Sequence, residues 1–336
     1  MAYCSIDISG EDFSFRRPIP IDPPDDGALY AGIDFGGTNI KIGFVRNKKI
    51  EARASIPTLV DQGPEQAIQR TANQIIQLTQ CVGGSRAIPA AVGIGVPGLV
   101  EGRVLKGARN FPRWNDVPLC DRLERYLAAP TYLETDARVA AIGEIYAGIC
   151  PPVNRGVVLT LGTGVGGATF ERYGNCYVLG SRTSAIGLTV CHDDGRLSGD
   201  RHACYIEDLI SAPAIKRRAR AYREQLHLPP PHPIDAKTVV EWAESGDAAC
   251  LEVVEDTGRY LGLLLVNIVH LFNPQEIVIG GGVGAAKAIL IVAAQQILRK
   301  FAVPILLEPV KISFSHIGLD CGIYGAAFLA ALSGGQ

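Results

Sequence analysis

Apolar residues recur in two rhythms along this chain. Leu29-Tyr30-Ala31-Gly32-Ile33 is a short apolar run suited to a buried strand, and beyond a polar break Ile40, Ile42 and Phe44 alternate with Lys41 and Gly43 as a second strand would. Between Pro64 and Cys81 the spacing changes: Ile68, Ala72, Ile75 and Ile76 fall on one face of a helix. Ala90 to Gly95 predicts a strand ended by the turn pair Pro97-Gly98, and Leu119 to Leu127 a helix with Pro118 in its first turn. Thr131 to Glu134 then predicts a strand, and Ala137 to Ala147 a helix. Further on, the pattern predicts a helix from about Pro213 to Leu226 and another capped by Asp235. A long apolar helix follows and stops at Asn273-Pro274. Glu276 to Ile279 reads as a buried strand opening into Gly280-Gly281-Gly282, and the last helix starts near Asp320-Cys321-Gly322. Short strands alternating with helices place the chain in the α/β class.

The break after the first strand is nearly all small residues, Asp34-Phe35-Gly36-Gly37-Thr38-Asn39. Gly36 and Gly37 leave the main-chain N–H groups open to an anion, and a carboxylate beside that anion makes sense with a cation between them. That is the signature of a Mg-nucleotide site. A Gly-rich hairpin capped by an Asp has the same composition, so this stretch alone does not separate the two. A second copy does. Val157 to Phe170 repeats strand, Gly/Thr turn and strand through Gly162-Thr163-Gly164, and each copy is followed by a polar turn and a third strand-like piece. One internal duplication is expected, with two turns holding a polyphosphate from both sides.

Bulk properties narrow the field. With 336 residues the chain is long enough for two cores, and 47% hydrophobic against 20% charged residues describes a chain with a large interior. A net charge of -2 gives no reason to expect nucleic acid or an anionic membrane as partner. The nine Cys are scattered and odd in number, which suits reduced thiols in a cytoplasmic protein. The acidic start without an apolar segment argues against a secretory signal, and no apolar run reaches the length of a membrane span. Gly93/Gly95/Gly98 and Gly162/Gly164/Gly167 match a dinucleotide-binding spacing, but no helix starts inside either one, so a dehydrogenase is rejected. No Gly-Lys-Ser/Thr follows a glycine loop, so there is no Walker A motif either.

Four motifs occur in order: Asp34-Phe35-Gly36-Gly37-Thr38, Gly93-Ile94-Gly95-Val96-Pro97-Gly98, Leu161-Gly162-Thr163-Gly164-Val165-Gly166-Gly167, and Asn273-Pro274 followed by Gly280-Gly281-Gly282-Val283. The set resembles the ROK family (repressors, open reading frames and sugar kinases) from about Leu29 to the C-terminus. The resemblance implies duplicated actin-like ATPase domains, related to ribonuclease H, with a cleft between them. The division it suggests is an extension over 1–28, an N-terminal domain over 29–135, a C-terminal domain over 136–320, and a last helix over 321–336 packing back on the first domain. It implies ATP and Mg²⁺ as cofactors. Asp34, Gly36, Gly37, Thr38, Lys41, Gly162, Thr163 and Gly164 would face the phosphates, and Gly281 and Gly282 the adenosine end. Asp34 would meet Mg²⁺ indirectly. Asp136, in Glu134-Thr135-Asp136-Ala137-Arg138, corresponds to the family's general base, although position alone favours a helix cap. Thr135, Asp136, Glu207, Gly98 and Asn110 would line the acceptor. A homodimer is the family's habit. Residues 1–28, rich in Pro and Asp, are too short for the DNA-binding module of ROK repressors, so the transcription-factor branch is not expected.

The acceptor side departs from the family pattern. Where sugar-binding members have Asn, a Glu-Ile-Gly-His segment and a Glu, this chain has Thr135, Ala185-Ile186-Gly187-Leu188 and Glu207. The family's zinc motif is also missing; Cys191, His192, His202 and Cys204 are the nearest substitutes, and structural zinc is not expected. The expected reaction is therefore phosphorylation of a primary hydroxyl on a hexose-like substrate, an aminosugar or a C7-cyclitol. The alternatives are an ordinary glucokinase or N-acetylhexosamine kinase, and a non-catalytic sugar sensor.

Overall fold

Two sheets with the same strand order account for most of the architecture. The computed structural model describes residues 18–22, 26–83, 88–148, 153–180, 185–192, 204–228, 235–283 and 287–334. After a short strand β1 (Ile19–Pro20), the first half runs β2 (Tyr30–Phe35), β3 (Asn39–Arg46), β4 (Lys49–Pro57), helix α1 (Pro64–Gly83) and β5 (Ala91–Val96). A small hairpin follows, β6 (Leu99–Glu101) and β7 (Val104–Gly107), then α2 (Leu119–Glu124), β8 (Thr131–Thr135) and α3 (Asp136–Tyr146). The second half begins β9 (Arg155–Leu161), β10 (Val165–Tyr173) and β11 (Cys176–Leu179), with β12 (Val190–His192) and β13 (Cys204–Tyr205) pairing as a separate ribbon. Helices α4 (Glu207–Ile210), α5 (Ala212–Gln225), α6 (Ala236–Glu244) and α7 (Ala248–Phe272) lead to β14 (Glu276–Gly280). The chain closes with α8 (Lys287–Phe301), α9 (Pro304–Leu307), β15 (Lys311–Phe314) and α10 (Cys321–Gly334).

The first sheet is ordered β4-β3-β2-β5-β8 and the second β11-β10-β9-β14-β15, with β1 added beyond β11. In each, an antiparallel hairpin is followed by strands that join in parallel. The duplication seen in two glycine turns therefore extends to the topology. Parallel strands covered on both faces are apolar throughout, which is why every residue of β5 and β14 is buried, whereas β4 at the sheet edge alternates exposed and half-buried positions. Ile33, Phe35, Phe44 and Trp114 lie in the first core, and Leu159, Leu261, Leu265 and Ile277 in the second.

The halves meet along α3 and α10, which pack on each other. Helix α10 returns to β2, β3 and β5, and α3 touches β9 and β10 as well as β5 and β8. The crossing is too close for a side chain at Gly325, where a Cβ would collide with the Val139 carbonyl. Both helices begin at the carboxyl ends of strands, so the N-terminus of α3 opens toward the space between the sheets.

Two expectations change here. The helix after Pro118 ends at Glu124 rather than Leu127, because Glu124 turns its carboxylate to Arg103 and to the N–H of Thr131, and Pro130 disfavours helix just before it. The N-terminal arm is not wholly an unattached extension. Ile19 is buried, β1 pairs with β11, and the Tyr146 hydroxyl donates to the Pro20 carbonyl.

Candidate functional site

The first glycine turn connects β2 to β3 and is closed by its own backbone: the Gly36 N–H donates to the Asn39 carbonyl at 3.0 Å. The second connects β9 to β10, with the Gly162 N–H donating to the Gly164 carbonyl at 2.9 Å. The two turns face each other. A Cβ built on Gly37 would lie 3.6 Å from the Asn110 Cβ and 3.8 Å from the Thr163 Cγ2, so one glycine of the first half lies against both the loop carrying Asn110 and the second turn. Thr38 and Thr163 are exposed at the tips. The third glycine loop joins the same floor: Gly281 has φ +92°, and a side chain there would strike the Leu161 carbonyl just before the second turn. Gly282 is exposed beyond it.

Asp34 sits at the end of β2, directly opposite Lys41 in the β2–β3 ladder. Lys41 Nζ lies 3.3 Å from Asp34 Oδ2 and donates to the Leu319 carbonyl at 3.2 Å, so the lysine is held rather than free in solvent. The Asp34 carboxyl is pushed above its ordinary range by burial, against the pull of Lys41. Gly322 leaves it room: a Cβ there would lie 2.6 Å from Asp34 Cγ.

Asp136 is the first residue of α3; the cap position belongs to Thr135, which is buried and whose side chain makes no capping bond. Asp136 Oδ1 accepts from the Ala137 N–H at 2.8 Å. Burial first, then the nearby charges of Asp34 and Glu207, raise its carboxyl to about 6. Asp136 thus feels carboxylates from both halves, Asp34 of β2 and Glu207 of α4. Glu207 opens α4; its Oε2 accepts from the Val165 N–H at 2.9 Å, and a Cβ on Gly164 would lie 2.6 Å from it. Gly98, at φ +105°, turns the chain into the β6–β7 hairpin, after which Arg109 and Asn110 arrive at the cleft. Arg109 donates to Glu207 Oε1 at 3.0 Å and to Asp208 Oδ1 at 3.2 Å. Leu188 ends a short 3₁₀ turn, Ala185–Leu188, whose Gly187 packs against Val165. His192 and Cys204 close the β12–β13 ribbon, His202 lies outside the described residues, and no metal-binding group of three ligands is present among the described residues.

Residues 30–332 match the sequence model of the ROK family. This chain belongs to the ROK family. A glucokinase from Thermotoga maritima is 30% identical over 309 residues, covering 88% of this chain and 95% of that protein. An N-acetyl-D-glucosamine kinase from Escherichia coli is 28% identical over 319 residues, covering 90% and 99%. Among solved structures, a ROK family glucokinase from Streptomyces griseus in complex with glucose and AMPPNP superposes with a TM-score of 0.74 at 25% identity, covering 90% of this chain and 99% of that one. The fold is the actin-like ATPase fold, and no helix among the described residues is long and apolar enough to cross a membrane.

This ROK site contains residues that the sequence reading passed over. Thr58 is fully buried; its hydroxyl donates to the Gly36 carbonyl at 2.7 Å and its N–H to the Thr38 carbonyl at 2.9 Å, stapling the first turn. Arg109 carried no local signal, because its partners lie about a hundred residues away. Gly322 had one, a glycine in the first turn of a helix, where it costs stability unless something must come close.

Proposed function

We propose that this ROK sugar kinase transfers the terminal phosphoryl group of ATP to the primary hydroxyl of a hexose-like polyol, an aminosugar or a C7-cyclitol, with Asp136 as general base. The observation that carries the reading is the meeting of both glycine turns at Gly37 and Thr163 beside a half-buried carboxylate at the start of α3. Phosphoryl transfer asks the protein for an anion cradle, a cation and a base that aligns the attacking hydroxyl. The backbone N–H groups around Gly36, Gly37, Gly162 and Gly164 form the cradle, with Thr38 and Thr163 at its rim. Gly281 and Gly282 leave bare backbone for the adenosine end. Asp136 takes the hydroxyl proton as the alcohol oxygen attacks phosphorus and ADP departs. Lys41 orients Asp34 and offsets its charge.

Magnesium suits the donors present: Asp34 offers hard carboxylate oxygen, and its charge is felt by Asp136 across the site, where a hydrated divalent cation would offset both. When bound beside Asp34, with water between them, it would neutralise charge on the phosphates. On the acceptor side Thr135, Asp136, Glu207, Gly98 and Asn110 would hold the polyol. The domain division at 135/136, with the last helix returning to the first domain, belongs to the same reading and is supported by the two matched sheets. An ordinary glucokinase or N-acetylhexosamine kinase is the second reading, favoured by the relatives' names. Against it stands Leu188, 43% exposed, where a ring donor for the sugar would be needed.

A coupled ATP-consumption assay over hexoses, aminosugars and cyclitols tests the acceptor class, and Asp136→Asn tests the base. The variant is expected to keep ATP binding and lose turnover by roughly 10²–10⁴-fold. For the wild type, kcat/KM falls as the pH drops through about 6, because Asp136 must be ionised to accept a proton. The raised carboxyl also sets a sign on stability: its ionised form is disfavoured in the fold, a cost present above about 6 and relieved at lower pH. Asp136→Asn is therefore expected to melt higher than wild type at pH 7.5, by at most about 3 kcal/mol. Wild-type turnover in Asp136→Asn would end the assignment.

A further inference from the structure

Arg109 reaches from one half of the molecule to the other, and the reaction described above makes no use of it. It stands on the loop after β7, in the N-terminal half, yet its guanidinium forks across two carboxylates of α4, Glu207 at 3.0 Å and Asp208 at 3.2 Å. Glu207 is part of the wall, its side chain 18% exposed and its second oxygen held by the Val165 N–H. Arg109 is 58% exposed, so the guanidinium is the member of this pair that an incoming molecule meets first. Ion pairs that open to solvent add little to folding stability, so holding the halves together does not account for it. What it changes is the charge and the hydrogen-bonding character of the acceptor wall. Without it, Glu207 and Asp208 leave two negative charges at the start of α4, the first of them felt by Asp136; with it the net is one, behind a group that donates and never accepts.

We propose that Arg109 is the specificity-determining residue of the acceptor site, masking Glu207 so that the site selects an uncharged polyol over a protonated aminosugar. The inference rests on the kinase reading and narrows it toward the C7-cyclitol or neutral hexose class. A hydroxyl oxygen can accept from the guanidinium, whereas an ammonium is repelled by it and would be drawn to the carboxylates only if it were gone.

The test measures kcat/KM for matched pairs differing in one amine, glucose against glucosamine and a C7-cyclitol against its amino counterpart, at a pH where the amines are protonated. Wild type, Arg109→Gln and Arg109→Lys are compared. Arg109→Gln is expected to shift the ratio toward the amine by about tenfold, through acceptor KM and with the KM for ATP unchanged. Arg109→Lys keeps the charge and is expected to keep most of the wild-type preference. An unchanged ratio in Arg109→Gln, a lysine variant that behaves like glutamine, or a wild type preferring the amine overturns the inference and leaves the kinase intact. Turnover of neither pair, nor of any acceptor in the wider panel, overturns the kinase reading itself.

Discussion

The two glycine turns share a backbone plan and differ in everything attached to it. In the first, Asp34 on β2 faces Lys41 across the ladder; at the corresponding place in the second, Thr160 faces Gly166. The second turn takes its carboxylate from outside the hairpin, Glu207 of α4, through the Val165 N–H. A duplicated hairpin thus keeps what the backbone does, gathering N–H groups at a bend, and leaves the side chains to diverge. In the proposed reaction the first turn, with its built-in acid, serves the cation and phosphates. The second turn, with a borrowed acid already engaged by Arg109, serves as the border between phosphate and acceptor.

The largest effect that sharpens this contrast is expected from charge. Asp34→Asn should lower kcat by roughly 10²-fold or more, since it removes the anionic contact on which cation placement depends. Thr160→Val, at the matching position, should stay within about threefold, because that position carries no charge in the reaction. Initial-rate measurements at saturating ATP and Mg²⁺ decide, and equal losses would show that the halves are not specialised. The next effect is steric. A Cβ on Gly36 would lie 2.7 Å from the Asn39 carbonyl oxygen, a backbone atom that cannot swing away, while Gly162 has nothing within 4 Å. Gly36→Ala is expected to destabilise by about 1–3 kcal/mol and to raise the KM for ATP. Gly162→Ala should shift the urea midpoint by less than about 0.5 kcal/mol equivalent. A reversal of that order would mean the first turn relaxes where the second does not.

Much of this was legible from the residues. Strand, turn and helix positions followed from apolar spacing because β2, β5, β9 and β14 are almost wholly buried, while the edge strand β4 alternates. The duplication was visible in the glycine turns because a bend that must stay bare tolerates few residue types. What could not be read was set by partners distant in the chain. Residue 109 is a surface arginine until α4 brings Glu207 beneath it, and Thr58 is an unremarkable strand end until β4 folds beside the first turn. The attachment of Ile19–Pro20 to β11 is of the same kind: a Pro-rich arm gives no periodicity, yet it finds the open edge of the second sheet. Asp136 shows the limit from the other side. Its position suggested a helix cap, but the chain caps α3 at Thr135 and leaves Asp136 inside the first turn, where burial first and the charge of Asp34 next raise its proton affinity.

The smallest effect separates the turns by how each is fastened. The Gly36 carbonyl accepts from the Thr58 hydroxyl at 2.7 Å, and its counterpart, the Gly162 carbonyl, accepts from the Ala212 N–H at 2.8 Å. A side-chain donor can be removed with little change of shape, whereas removing a backbone N–H takes a proline that also restrains the chain, so the first turn gives the cleaner test. Thr58→Val preserves shape in a fully buried site and removes one hydrogen bond, which is expected to cost about 1 kcal/mol and to raise the KM for ATP a few-fold. Ala212→Ser leaves the N–H in place and should alter neither quantity. If Thr58→Val binds ATP as wild type does while unfolding more easily, the staple supports the fold alone, and the bend at Gly36-Gly37 is held in its anion-binding shape by the β2–β3 ladder.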